Sequence, residues 1–429
     1  MFTKGHKNSK NKFLSYAAIA VLVLTLVGYP LIAPIAVVQN IPNQLVSVPF
    51  RMLVLVISLM VIIKRFILRD RFPYGIFWII WWTFWGLYIS RMIIDGLLNP
   101  AALRLSLGEY LIYAIGMSLI PALALSIKLD DSFLKRALIG IVALGAIASV
   151  FNIWLILYRN TELMAISDLI GSRQATDTLN PVGLAHLGVT VAILSMWMLV
   201  RAEMRGLMKN SLLIICMLIG AGAALSGASR GPLLVLILSL PLISYLGIEN
   251  LHGKRLLRLS AIVAVLFFVL GWLLMNIETI VAFRRVQESL FSDNERMKLL
   301  TLGYKLFLNS PILGAGTEPL GFYPHNVILE SFMLSGIFSG FIFVTITAMS
   351  VAAAVKMFFA YPKHSWISLL YFQYLLAAMF SGSLYLSASM WALMVLVVSQ
   401  SAILRSKKAV LNNSACDPKW RGSVMVKDS

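Results

Sequence analysis

The chain has 429 residues, 59% of them hydrophobic and only 13% charged, with a mean hydropathy of +0.86, so too little polar surface exists to cover a soluble globule. Its net charge of +18 invites a nucleic-acid reading, but no basic cluster is interleaved with aromatic residues as a nucleic-acid groove requires, and the basic residues sit in short connections between apolar runs. Cys216 and Cys416 are the only cysteines and histidines are scarce, which excludes a disulfide framework and a zinc site.

In chain order, Lys4, Lys7, Lys10 and Lys12 precede an apolar run from 13 to about 38. That run is longer than the apolar core of a signal peptide and lacks a small-residue cleavage site, so it is expected to stay as the first span. Runs long enough to cross a hydrocarbon core of about 30 Å follow near 46–63, 74–94, 110–127, 137–157, 181–200, 211–228, 231–248, 259–276, 326–355, 366–382 and 385–404. They are continuously apolar, and an isolated helix satisfies its own backbone in lipid, so the fold class is an all-α polytopic membrane protein of about twelve transmembrane helices. No internal repeat is visible, and 1–429 reads as a single membrane domain.

Alternation from a cytoplasmic N-terminus puts the N-tail, Lys64-Arg65-Arg69-Arg71, Lys128-Lys135-Arg136, Arg201-Arg205-Lys209, Lys254-Arg255-Arg258, Lys356-Lys363 and the basic tail 405–429 inside. These segments hold 25 of the 36 basic residues and 7 of the 18 acidic ones, so the whole excess falls on one side. Both termini are therefore expected in the cytoplasm. Outside lie short connections and one large polar loop, 277–325.

Within that loop Met297, Leu300, Tyr304 and Phe307 recur at helical spacing, with Lys298 and Lys305 flanking, which predicts a helix on the outer leaflet or on the bundle. Pro311 and then Gly314 and Gly316 end it with a turn able to bring backbone N–H groups close to a ligand.

Arg230, between Ser229 and Gly231-Pro232, stands at an outer helix N-terminus, where free amides and the helix dipole already favour an anion. The bland alternative is a snorkelling arginine at the lipid interface. Arg296 opens the loop helix, and its alternative is a solvated face. The adjacent pair Arg284 and Arg285 is a weaker anion ligand that can equally meet lipid phosphates. Arg51, inside the second span near its outer end, should face a cavity and is a further candidate anion ligand. His325 is the sole histidine assigned to the outer loops; an unperturbed imidazole titrates near pH 6.5, which suits a general base, although a histidine between Pro324 and Asn326 can also be only a capping or interfacial residue. Glu318 and Glu330 flank it and either can orient the ring.

Ser229-Arg230-Gly231, Arg296-x-x-x-Leu300, Pro311-x-x-Gly314-x-Gly316 and His325-Asn326 ahead of Gly336 together resemble the O-antigen ligase and polymerase family of bacterial membranes. The resemblance is most specific from about 214 to 340. It implies a C-type membrane glycosyltransferase fold in the bacterial inner membrane, with a site facing the periplasm. It further implies metal-independent and cofactor-free transfer of a glycan from undecaprenyl pyrophosphate to a sugar hydroxyl of the lipid A core or of a growing glycan. On that mapping Arg230 and Arg296 hold the pyrophosphate and His325 acts at the acceptor. A repeat-unit polymerase of the same family is the alternative. A lipid-linked oligosaccharide flippase is disfavoured, because the charged candidates gather at one outer rim rather than along a central cavity.

Overall fold

Long apolar runs have no water to bond their backbones, and the chain closes them into helices. The protein is represented by a computed structural model that describes residues 3–69, 74–100, 103–159, 179–201, 206–227, 229–248, 295–321 and 323–415. We number the helices α1 (Thr3–Val23), α2 (Tyr29–Val38), α3 (Gln44–Ile67), α4 (Ile76–Leu98), α5 (Leu107–Leu111), α6 (Ile120–Ala124), α7 (Asp131–Arg159), α8 (Pro181–Arg201), α9 (Leu207–Ser226), α10 (Arg230–Ile248), α11 (Glu295–Asn309), α12 (Val327–Ala360), α13 (Ser365–Ser381) and α14 (Ala388–Ala415). A π-helical stretch joins α1 to α2 and another, Ile112–Leu119, joins α5 to α6, so each pair makes one continuous span.

Among the described residues 9 helices are long and apolar enough to cross a membrane. The shorter apolar stretch Gly231–Gly247 and the 17-residue α13 fall where the eighth and eleventh spans were expected. The expected span 259–276 lies outside the described residues.

Side-chain bonds sort the connections onto two ends of the bundle, as the alternation requires. At one end Arg65 donates to Ser126 Oγ at 2.6 Å, Trp197 Nε1 to Ser365 Oγ at 2.8 Å, and Lys363 pairs with Asp131 at 2.8 Å. At the other, Arg91 donates to the Leu313 carbonyl at 3.0 Å and Leu384 N to Glu330 at 2.9 Å. Each of these bonds joins two connections or span ends that the alternation puts on the same side.

Between the two ends, lipid and side chain are equally apolar, so packing quality rather than water exclusion holds helices together. Trp391 of α14 meets Trp85 at 4.9 Å and Trp81 at 5.1 Å, and Phe84 meets Phe343 of α12 at 5.2 Å, so rings lock α4, α12 and α14 into one core. On the other flank α8 and α9 touch backbone to backbone: a Cβ on Gly188 would stand 2.4 Å from the Gly220 carbonyl oxygen.

The tenth span, expected as one continuous run 326–355, is not continuous. α12 is broken at Ser335 (φ −129°) and Gly336 (φ 75°, ψ −165°). At 34 residues a straight helix would be about 51 Å long, well beyond the hydrocarbon thickness, whereas the part after Gly336 measures about 36 Å and suffices to span. The residues before the break, Val327 to Leu334, belong to the loop end.

Candidate functional site

Breaking a helix strands backbone groups that lipid cannot satisfy, and here the turn after α11 takes them up. The Met333 carbonyl accepts from Ala315 N at 2.6 Å, and Ile337 N donates to the Pro311 carbonyl at 2.8 Å. Such an approach leaves no room for side chains: a Cβ on Gly314 (φ 74°) would stand 2.5 Å from the Leu334 carbonyl, and one on Gly336 2.1 Å from the Ile312 oxygen. Gly316 lies against Arg91 and Asp95 of α4. The Gly314 amide donates to the Ser310 carbonyl at 2.9 Å, so it is committed within the turn rather than presented to a ligand as the sequence suggested.

Past the turn, Asp95 accepts from Thr317 N at 2.6 Å and is itself paired with Arg91 at 3.0 Å. Glu318 then turns inward and is 2% exposed. Its Oε1 accepts from Tyr385, in the connection between α13 and α14, at 2.7 Å, and its Oε2 accepts from Tyr110 of α5. Tyr385 is in turn fixed, its ring 5.1 Å from Tyr110 and 6.1 Å from Tyr113, its carbonyl accepting from Ser118 Oγ at 2.9 Å. Burial, and then the bond to Glu318, push the Tyr385 phenol well above its usual range, so it stays a donor. Glu330, also 2% exposed, lies in electrostatic range of Glu318 and takes the Leu384 amide. Beside both carboxylates the buried Tyr88 hydroxyl makes no hydrogen bond among the described residues.

The sequence candidates distribute around this cluster. Arg51 donates to Tyr113 at 3.0 Å with its guanidinium 5.2 Å from that ring, so it joins the cluster through Tyr113 and Tyr385. His325 is half-buried, with φ 54° and its ring 4.4 Å from Tyr323. Tyr323 lies within electrostatic range of Glu318 and Glu330, and burial raises its phenol pKa. The helix cap is Asn326, whose side chain accepts from Leu329 N at 3.0 Å, so the capping alternative for His325 falls away. Arg230 opens α10, and a Cβ on Gly231 beside it would stand 3.5 Å from Phe380 at the end of α13, a few residues before Leu384, whose amide Glu330 accepts. Arg296 is the second residue of α11, which packs on α12 through Gly303 against Leu329 and through Phe307 against Phe332. Arg296 therefore begins about 16 Å along the helix from Phe307. Arg284 and Arg285 lie outside the described residues.

The chemistry available at this end is therefore the half-buried His325, Arg51 bonded to Tyr113, the N-terminus of α10, and two buried carboxylates. Each Glu318 oxygen accepts from a phenol, which fixes that carboxylate in place. Tyr88, Tyr110, Tyr113 and Tyr385 were not read from the sequence. For Tyr110, Tyr113 and Tyr385 the signal available was their location near the outer ends of spans, where membrane-interface tyrosines are common and hence uninformative, while Tyr88 sits mid-span in α4. Among the described residues no three His, Cys, Asp or Glu side chains cluster to hold a metal ion.

No curated protein matches the chain. A family model described as O-antigen ligase matches residues 214–344, a stretch that runs from α9 through Arg230, α11, the Pro311 turn, Glu318 and His325 to the kinked helix α12. Residues 214–344 of this membrane protein are thus similar to the O-antigen ligase family, and that match takes in the turn, Glu318 and His325 described above.

Proposed function

We propose that the protein transfers a glycan from undecaprenyl pyrophosphate to an acceptor sugar hydroxyl at the periplasmic face of the bacterial inner membrane, as an O-antigen ligase acting on the lipid A core. The observation that supports this reading is that the family match includes the start of α10 at Arg230 and the polar segment that carries Glu318, His325 and Glu330 on an otherwise apolar body.

In this reaction the acceptor oxygen attacks the sugar C1, the bond from C1 to the pyrophosphate oxygen breaks, and undecaprenyl pyrophosphate leaves carrying the electron pair. The acceptor proton passes to His325. Arg230 at the α10 N-terminus and Arg296 on α11 meet the departing charge, with forked donors that match phosphate oxygens, and Arg51, Arg284 and Arg285 supply further positive charge along the lipid's path. No metal or cofactor is assigned a role. Gly314 and Gly316 contribute by letting the turn close on α12 and α4, which sets the loop that carries His325. Glu330 supports the same mouth through Leu384.

A repeat-unit polymerase differs only in its acceptor, a second lipid-linked glycan, and the shared motifs leave room for it. Lipopolysaccharide from a deletion strain separates the two. A ligase deletion leaves bare core with full-length polymer on the carrier lipid; a polymerase deletion leaves core bearing a single repeat. Unchanged lipopolysaccharide, with no other glycan missing, would refute both.

A further inference from the structure

We propose that Glu318 is a positioning residue for this reaction, gripping the start of the segment that presents His325; the inference rests on the glycosyl-transfer reading above. Glu318 has φ 45° and His325 φ 54°. Residues with a Cβ avoid that region because the Cβ crowds the backbone carbonyl, so two such residues seven positions apart persist only where their surroundings over-determine them. The surroundings here do so at both ends. Upstream, Asp95 holds Thr317 N at 2.6 Å and the Tyr385 and Tyr110 hydroxyls hold the two Glu318 oxygens. Downstream, Asn326 caps α12, and Tyr323 packs on His325.

A carboxylate is a costly means of tying down a loop. Glu318 is buried, and no cation pairs with it among the described residues; its compensation is two phenol hydrogen bonds. Those bonds are stronger and shorter to a charged acceptor than to a neutral one, so the grip is stiff in two directions at once. Glutamine in its place offers one acceptor and one donor, which strands the proton of one phenol. The same tyrosines bridge α5 and the α13–α14 connection, so the grip also ties the His325 segment to the first half of the chain, outside residues 214–344.

The test has two arms, both on the full-length protein in lipid nanodiscs. In the kinetic arm Glu318→Gln should lower kcat on the order of 10²-fold, the size expected for a displaced catalytic group, with KM for the lipid-linked donor within about threefold. Placed in a His325→Ala background it should lower kcat no further, because a residue acting through His325 has nothing left to position. Multiplied losses would overturn the proposal. In the second arm, which needs no activity, hydrogen exchange at 323–326 should quicken in Glu318→Gln and, more mildly, in Tyr385→Phe, which removes a single hydroxyl and guards against a Glu318 variant that does not fold. Unchanged exchange there in Tyr385→Phe and Glu318→Gln would also overturn it. Should the wild type transfer no glycan, the function fails alone, and exchange still decides whether Glu318 holds the segment.

Discussion

Gly336→Ala probes the contact on which the loop end depends. The residue adopts φ 75° and ψ −165°, a conformation open essentially to glycine alone, and holding alanine there costs about 1–3 kcal/mol. Its Cβ would stand 2.1 Å from the Ile312 oxygen and 2.4 Å from the Ile312 carbonyl carbon. Those atoms are backbone, and the neighbouring Pro311 carbonyl is bonded to Ile337 N at 2.8 Å, so relief requires lifting the turn, at about 1–3 kcal/mol more for overpacking. The expected loss is therefore roughly 2–6 kcal/mol, with transfer activity falling alongside because Thr317 and Glu318 follow directly. Unfolding in mixed detergent micelles measures the first quantity and glycan transfer the second. Gly222→Ala is the control, since a Cβ there meets nothing within 4 Å in an ordinary helix. Gly314→Ala attacks the same contact from the other side, so the double variant should lose less than the sum. A Gly336→Ala protein as stable and active as the Gly222 control would refute the account of the turn as the partner of a broken helix.

For the anion site, Arg230→Ala should abolish most transfer at normal membrane levels and Arg230→Lys should restore only part, since a point charge does not reproduce a fork; full activity in the alanine variant removes the assignment. His325→Ala should lower kcat by about 10²–10⁴-fold while donor affinity, measured by titration of the lipid, stays near wild type; collapse of donor affinity with near-normal turnover would make His325 a pyrophosphate ligand instead. For topology, single cysteines at Asn309 and Ser406, both exposed, should label from opposite sides in intact spheroplasts, Asn309 alone reacting with an impermeant reagent. Position 317 is a poor choice for that experiment, being 4% exposed.

The sequence by itself marked the apolar stretches as helices, gave an expectation of their sidedness, and singled out the stretch that the family model matches. These depend on properties that run along the chain: a continuous apolar stretch must close its own hydrogen bonds in lipid, and arginine and lysine resist translocation whichever helices become neighbours. It also picked out Pro311, Gly314, Gly316, Glu318 and His325 as members of one loop, and read its glycines as letting backbone N–H groups approach a ligand. Only the tertiary structure showed that they serve a break in α12, because that break depends on Met333 and Ile337 finding partners some twenty residues upstream. The tyrosine grip was less legible still: Tyr110 and Tyr385 lie 208 and 67 positions from Glu318, and nothing periodic links them. Which helices pack side by side in a membrane is decided by shape and by pairwise hydrogen bonds between spans, and those exist only once the chain has folded.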